Sequence, residues 1–262
     1  PQRVSGLLVH RAGDLFVVFD GGPVGPDYQP GHAHCDTLSY EVSWKGGRLI
    51  SDTGVFHYRE SPERTYARST AAHNTVRLDS RDQSEVWKSF RVGRRAGIIF
   101  LESREEHGCT IFHAAHDGYE RFGKGLIHER CMVLRGDAWL VVIDFIHGSG
   151  RHLVENMVHF APDIALKRDG HGVAILAESG RCSLQPAGGE NVRVFETECY
   201  PAFGVSVLRK TIVQHAMAEL PLTTSYTLQF GNSARNVTVR KTQEGLEIRE
   251  GDVPVVAIIS RL

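Results

Sequence analysis

The sequence predicts an all-β fold, a large antiparallel β-sandwich. Two observations carry that expectation: apolar residues recur with a period of two in many short runs, and those runs are separated by glycine-bearing turns. Helical periodicity is confined to one short stretch.

The first hairpin is read from residues 6–10 and 15–20, which flank Arg11-Ala12-Gly13-Asp14. Residues 38–44, Leu-Ser-Tyr-Glu-Val-Ser-Trp, alternate strictly and predict a half-buried strand. Lys45-Gly46-Gly47 supplies the turn and residues 48–50 resume the strand. Downstream strands are expected at 97–102, 109–114, 129–134, 139–145, 153–160, 173–177, 192–196, 205–211, 225–230, 237–241 and 255–260. Ser61 as N-cap with Pro62 at the first helical position predicts one short helix ending at Arg68. Residues 54–93 are rich in Arg, Ser, Thr, Glu and His, and only 74–78 read as strand there; long polar connections of this kind tend to carry function.

A length of 262 residues suits one large all-β domain, and no linker divides it, so residues 1–262 are read as one unit. A formal net charge of -1 without basic runs excludes a nucleic-acid binder. It does not exclude an acidic sugar, because a local group of Arg and His can attract one. The five cysteines include no CxxC pair; they argue against a disulfide framework but leave one pair open. No apolar run is long enough to span a membrane. The start at Pro1, without Met or signal peptide, reads as the interior of a longer protein.

Histidine is the usual metal ligand and acid–base residue, which directs attention to Gly31-His32-Ala33-His34-Cys35-Asp36. In an extended chain His32, His34 and Asp36 share a face. Pairing about Gly46 sets Asp52 opposite Tyr40, so Asp52 nears His34 only if the chain before Leu38 bends back. His73 opens the next strand. Two imidazoles and a carboxylate suit a borderline divalent cation, zinc first, with a water or substrate oxygen in the open position. Spacing alone favours the plainer reading, ordinary hydrogen-bonded polar residues without a metal.

Three ordered motifs change that balance. Residues 31–41, GHAHCDTLSYE, resemble the GHAHxDxLS(F/Y)E signature of heparinase II/III-like proteins. Residues 50–54 resemble the (I/V)xDxG element that follows it, and residues 68–76, RSTAAHNTV, the RSTxAHNT(V/L) element. Looser landmarks fall at Asp117-Gly118-Tyr119, His128-Glu129-Arg130 and residues 159–162. The likeness runs from about Val4 to Arg209.

The resemblance implies the C-terminal β-sandwich of a polysaccharide lyase whose N-terminal (α/α) toroid is absent from this chain. Such enzymes cleave uronic-acid-containing polysaccharides by β-elimination. A base removes the C5 proton, an acid protonates the leaving oxygen, and the charge that develops beside the carboxylate must be stabilised. The catalytic tyrosine of such enzymes sits on the toroid, so this chain alone is not expected to turn over. The resemblance makes His34, Asp52 and His73 the metal ligands, with a structural role favoured. It makes His32 the substrate-facing, catalytic candidate, the alternative being a supporting residue behind the metal. Asp36 is a candidate hydrogen-bond acceptor for a ligand histidine.

Tyr58, Arg64, Arg68 and Asn74 are candidate substrate contacts, the arginine forks because they match carboxylates. For each, an ordinary loop role is the competing reading. His159 reads as a packed strand-end residue, and Trp87 as either a sugar platform or core. The implied partners are an acidic polysaccharide and the toroid of the same protein, in the periplasm or outside the cell. Two other functions stay open: a non-catalytic glycan-binding or structural module, and a metal-dependent hydrolase. A lyase makes an unsaturated product that absorbs ultraviolet light; neither alternative does.

Overall fold

The computed structural model describes residues 5–170, 172–187, 192–231 and 235–262. Pro1 and Val4, where the sequence reading began, lie outside these residues.

The described residues build twenty-one strands, the all-β fold that the period-two pattern predicts. In order, β1 (Leu7–Ala12), β2 (Leu15–Asp20), β3 (Tyr40–Trp44) and β4 (Gly47–Ile50) form one antiparallel sheet. Helix α1 (Pro62–Arg68) follows, capped as predicted: the Ser61 hydroxyl accepts from the Arg64 N–H at 3.1 Å. After it come β5 (Val76–Leu78) and the two-residue strands β6 (Val86–Trp87) and β7 (Arg91–Val92). Then run β8 (Ile98–Glu106), β9 (Cys109–His116), β10 (His128–Arg135), β11 (Trp139–Ile146) and β12 (Arg151–His159). β13 (Ala165–Asp169), β14 (Gly172–Ala177), β15 (Gly180–Pro186), β16 (Val192–Ala202), β17 (Val205–Glu219) and β18 (Leu222–Phe230) follow. β19 (Val237–Lys241), β20 (Leu246–Glu250) and β21 (Val253–Ile258) close the chain.

The organising layer is an eight-stranded sheet in the order β13-β14-β15-β18-β11-β10-β9-β8. One face carries Met132, Leu134, Leu140, Val142, Tyr226 and Leu228 into the main core, shared with β1–β4 and with the β16-β17-β12-β5 sheet. Cys131, Val133, Trp139, Val141 and Ile143 alternate onto the other face, where β19–β21 cover them. Burial on both faces is why β11 reads as an almost continuous apolar run instead of an alternating one. The sandwich expected from sequence is present, with a third layer added by the C-terminal strands.

Several expectations are corrected. β6, β7, β13, β15 and β20 were not expected as strands: the first two are only two residues long, and the other three carry too many polar residues to stand out as apolar runs. β17 runs to Glu219, eight residues beyond the expected end. Leu38 is not in a strand: it sits at φ 63, and its N–H donates to the Asp20 carbonyl at 2.8 Å. The open question of a disulfide is answered: Cys35, Cys109, Cys131, Cys182 and Cys199 are all buried and free. No helix among the described residues is long and apolar enough to cross a membrane.

Candidate metal centre and the surface beside it

The two turns that bring the motifs together are local. The β3–β4 hairpin pairs Val42 with Ile50, the register that sets Asp52 level with Tyr40. The chain before it bends as required: Leu38 takes the left-handed conformation and the Ser39 N–H donates to the Asp36 carbonyl at 2.9 Å. The Cys35 N–H then donates to the Arg68 carbonyl at 2.9 Å, tying the His34 segment to the end of α1. His73 follows the 3-10 turn Thr70–Ala72, with its N–H on the Thr70 carbonyl.

The result brings His34, Asp36 and His73 together, one ligand atom of each lying within 4.8 Å of the others. The His34 and His73 ring centroids are 5.4 Å apart. Asp52 joins through His73: Nδ1 donates to Oδ1 at 2.5 Å. The other Asp52 oxygen accepts the Gly54 N–H at 2.8 Å. A carboxylate only accepts, so Nδ1 of His73 carries the proton and Nε2 is the remaining donor-set atom. That Nε2 is buried and has no hydrogen-bond partner among the described residues.

Electrostatics sort the four groups. Burial and the neighbouring charge of His73 push the His34 imidazole down to about 3, leaving it neutral with a lone pair to offer. Burial raises Asp52, but the charge and hydrogen bond of His73 outweigh it and hold the carboxyl below its usual range. Burial lowers His73, and the Asp52 charge and hydrogen bond more than reverse it. Asp36 is raised by burial. Two imidazoles, one ionised carboxylate and an orphaned buried nitrogen fit a divalent cation better than they fit a closed hydrogen-bond network. Arg64 Nη1 lies 3.3 Å from His34 Nε2, at the weak end of hydrogen bonding, and would have to yield that lone pair to a cation.

His32 does not share a face with His34. Residues Pro30–His32 form a 3-10 turn, because Pro30 fixes a helical φ, and the two-residue period requires extended backbone. The exposed His32 ring instead meets Tyr58 and Phe90 edge-on at 5.2 and 5.4 Å. Tyr58, 43% exposed, also approaches Phe203 at the tip of the β16–β17 hairpin, at 5.6 Å between centroids. Trp87, 49% exposed, is surface and not core. An exposed aromatic and imidazole surface thus adjoins the candidate metal centre.

Arg64, Arg68 and Asn74 are all buried, so the two arginines are not solvated loop residues, and Asn74 has the loop-holding contacts that were its plainer reading. Arg68 donates to the carbonyls of Ala33, Trp87, Lys88 and Arg91, and Arg64 to that of Ser89. These guanidinium groups staple the 87–91 loop to the His34 segment. Asn74 Nδ2 donates to the Tyr40 and Ser51 carbonyls, and its Oδ1 accepts the His159 N–H at 2.7 Å. It joins β3, β4 and β12 behind the centre. His159 is buried, as read from sequence, with Nδ1 on the Thr211 hydroxyl at 2.8 Å.

Sequence reading missed two buried arginines. Arg209 donates to the Ser51, Asp52 and Ala72 carbonyls and to the Thr53 hydroxyl, holding the Asp52 and His73 segments together. Arg130 donates to the Leu38 and Asn74 carbonyls at 2.8 and 2.6 Å. It also forks onto Asp144 at 2.7 and 3.1 Å. Asp144 accepts in turn from His128 Nε2, His128 Nδ1 from His116 Nε2, and His116 Nδ1 from the Gly118 N–H. That chain satisfies both imidazoles as neutral rings, in keeping with burial pushing each below its ordinary value. The visible signal was His-Glu-Arg interrupting an apolar strand.

The model of the family Heparinase II/III-like, C-terminal, matches residues 2–248. The chain belongs to that family. Among solved structures, the heparan sulfate lyase HepC from Pedobacter heparinus is similar to this family member at a TM-score of 0.74 and 18% identity. The match covers 97% of this chain and 41% of that lyase. A crystal structure of heparinase III is similar at a TM-score of 0.74 and 14% identity, covering 95% of this chain and 40% of that one. At such identities the likeness establishes the shared fold, and this heparinase II/III-like chain spans about two fifths of each enzyme. No curated protein matches it.

Proposed function

We propose that this heparinase II/III-like domain is the C-terminal part of a polysaccharide lyase acting on a uronic-acid-containing polysaccharide by β-elimination. It contributes a divalent metal centre and one wall of the cleft; the toroid of the same protein contributes the other. The observation that carries the reading is the convergence of His34, Asp36 and His73, with Asp52 hydrogen-bonded to His73, from three separate motifs onto one partly buried centre beside exposed His32. The solved relatives named heparan sulfate lyase and heparinase III support the substrate class.

His34, Asp36 and His73 would hold the cation, and Asp52, expected from the sequence as a ligand, would orient His73 by accepting from its Nδ1. Zinc is the ion this donor set suits best. When bound it supplies fixed positive charge that anchors the three motifs to one another. His32 faces outward at the mouth of the site and carries the substrate-directed role, donating to the uronate carboxylate or moving a proton at the leaving oxygen. The aromatic rings of Tyr58 and Phe90 hold its imidazole in place. The assigned compartment is the periplasm or the cell exterior, where such polymers occur.

The test is a lyase assay on the parent protein containing this domain, with heparan sulfate and other uronic-acid polymers, following ultraviolet absorbance of the unsaturated product. Absorbance growing with time, and lost in His32→Ala with folding intact, is the expected result. New reducing ends without absorbance would replace the lyase by a hydrolase.

A further inference from the structure

We propose that the outward face of β15 and β18 is a second binding site, a groove for an uncharged saccharide chain, separate from the candidate metal centre. The groove has a volume of about 820 Å³ and runs between these strands and β19. Ligand sites commonly enclose roughly 300–1,000 Å³. Its floor is made by Ser183 and Gln185 on β15 and by Ser225, Thr227 and Gln229 on β18. Ser183 pairs with Gln229 and Gln185 with Thr227, so the side chains stand side by side across the ladder. Their neighbours Cys182, Leu184, Tyr226, Leu228 and Phe230 point the other way, into the main core.

One strand further along the same face, β11 presents Trp139, Val141 and Ile143, and β19–β21 cover them. The face therefore changes from apolar to uncharged polar where the third layer stops. An ordinary solvent-facing ladder would be well exposed, but Ser225, Thr227 and Gln229 are only 4%, 3% and 8% accessible. They lie at the bottom of a recess. The side-chain hydrogen bonds at this edge run from Arg168 to the Val192 carbonyl and from Gln214 to the Ala187 carbonyl. None among the described residues engages the five floor side chains. On the wall, the Thr238 hydroxyl is buried without a partner among the described residues. β19 is the edge strand of its sheet, so its outer backbone groups also face the groove.

The charges define the ligand class. Arg181 is paired with Asp169 and Arg235 with Glu250 at 3.0 Å, so each cation at the rim of this recess is offset by a neighbouring carboxylate. What remains is a row of hydroxyl and amide groups, each able to donate and to accept. That chemistry matches the vicinal hydroxyls of a neutral sugar, while the floor itself offers a uronate or sulfate no cation. The groove continues into a second recess of about 470 Å³ that shares Ala187, Ser225 and Val239 and adds His215 and Lys241 at its far end, which gives room for several sugar units in line. A second grip of this kind raises the effective concentration of a polymer at the cleft without adding any contact there.

The experiment measures binding of maltohexaose, cellohexaose and xylohexaose to the chain by calorimetry, beside heparan sulfate and alginate, with and without a chelator. The variant is Gln185→Met with Thr227→Val, which removes the polar groups of two floor side chains with little change in shape. The expected result is binding of at least one neutral hexasaccharide, insensitive to chelator, with Kd at least about tenfold weaker in the variant and an unchanged unfolding midpoint. Failure of all three neutral probes to bind overturns the proposal. So does equal affinity in the variant, or a groove-dependent affinity confined to the two acidic polymers. Because the chelator and the variant act on different sites, loss of the metal reading leaves this result standing, and the reverse holds.

Discussion

Replacing Arg209 with methionine keeps most of the buried stem and removes every donor. Its guanidinium gives Nη1 to the Ser51 and Asp52 carbonyls, both at 3.0 Å, and Nη2 to the Thr53 hydroxyl and to the Ala72 carbonyl at 3.4 Å. Two of these acceptors keep a partner: Asn74 Nδ2 lies 3.4 Å from the Ser51 carbonyl, and the Thr53 hydroxyl donates to Ala72. The Asp52 carbonyl keeps only the Cys199 thiol at 4.0 Å, a weak donor. One stranded buried carbonyl costs about 1–3 kcal/mol, and the two weakened acceptors add about 1 kcal/mol. Against this, Arg209 is 1% exposed and has no carboxylate at ion-pair distance among the described residues, so removing its charge recovers part of a desolvation cost. The net expectation is a loss of about 2–3 kcal/mol, read as a lower urea midpoint at unchanged slope. Divalent-cation affinity should fall with it by about tenfold or more, because Arg209 is the common anchor of the Asp52 and His73 segments. A variant within about 0.5 kcal/mol of the parent, with unaltered cation affinity, would refute the reasoning.

Three further outcomes follow from the same contacts. Gly54→Ala should lower Tm by roughly 4 °C or more, because φ is +80 there and the new Cβ would stand 2.2 Å from the Tyr200 carbonyl oxygen; an unchanged Tm would mean the two segments are not in contact. Burial opposes ionisation of Asp144, but the Arg130 charge and the His128 hydrogen bond lower its pKa to about 2, and Glu129 is likewise held at about 2 by its histidine partners. Their contribution is complete above the unfolded carboxylate values and is lost as pH falls from about 4 towards about 2, with Asp144 accounting for about 2 kcal/mol; equal urea midpoints at about pH 5 and pH 3 would contradict it. Thiol titration should find no reactive cysteine in the native chain and all five in denaturant, with no effect of reductant on Tm; fewer than five would reveal a disulfide.

How much of this was legible in the sequence differs by scale. β3 was readable because its apolar side chains face one core and its polar ones do not, and α1 because Ser61 and Pro62 mark a helix start. The hairpin register could be drawn from Gly46 alone, but the bend that delivers His34 could not: Leu38, an apolar residue, takes a positive φ that usually announces itself as glycine or asparagine. The same difficulty covers the arginines. Arg64, Arg68, Arg130 and Arg209 look like surface charge in a sequence, yet each is 1% exposed or less and donates to main-chain carbonyls. Nothing in spacing reveals which carbonyls a fold will leave without partners. Motif resemblance picked out the histidines and carboxylates; it was silent on the framework that aims them.

Metal content of the purified chain, measured beside His34→Ala after supplying zinc to both, tests the central claim most directly. The account predicts one tightly held divalent ion per chain in the parent and none in the variant, with both folded. A parent chain that retains no ion, or a variant that retains it as tightly, would contradict it and leave His34, Asp36, Asp52 and His73 as a buried polar cluster without a cation.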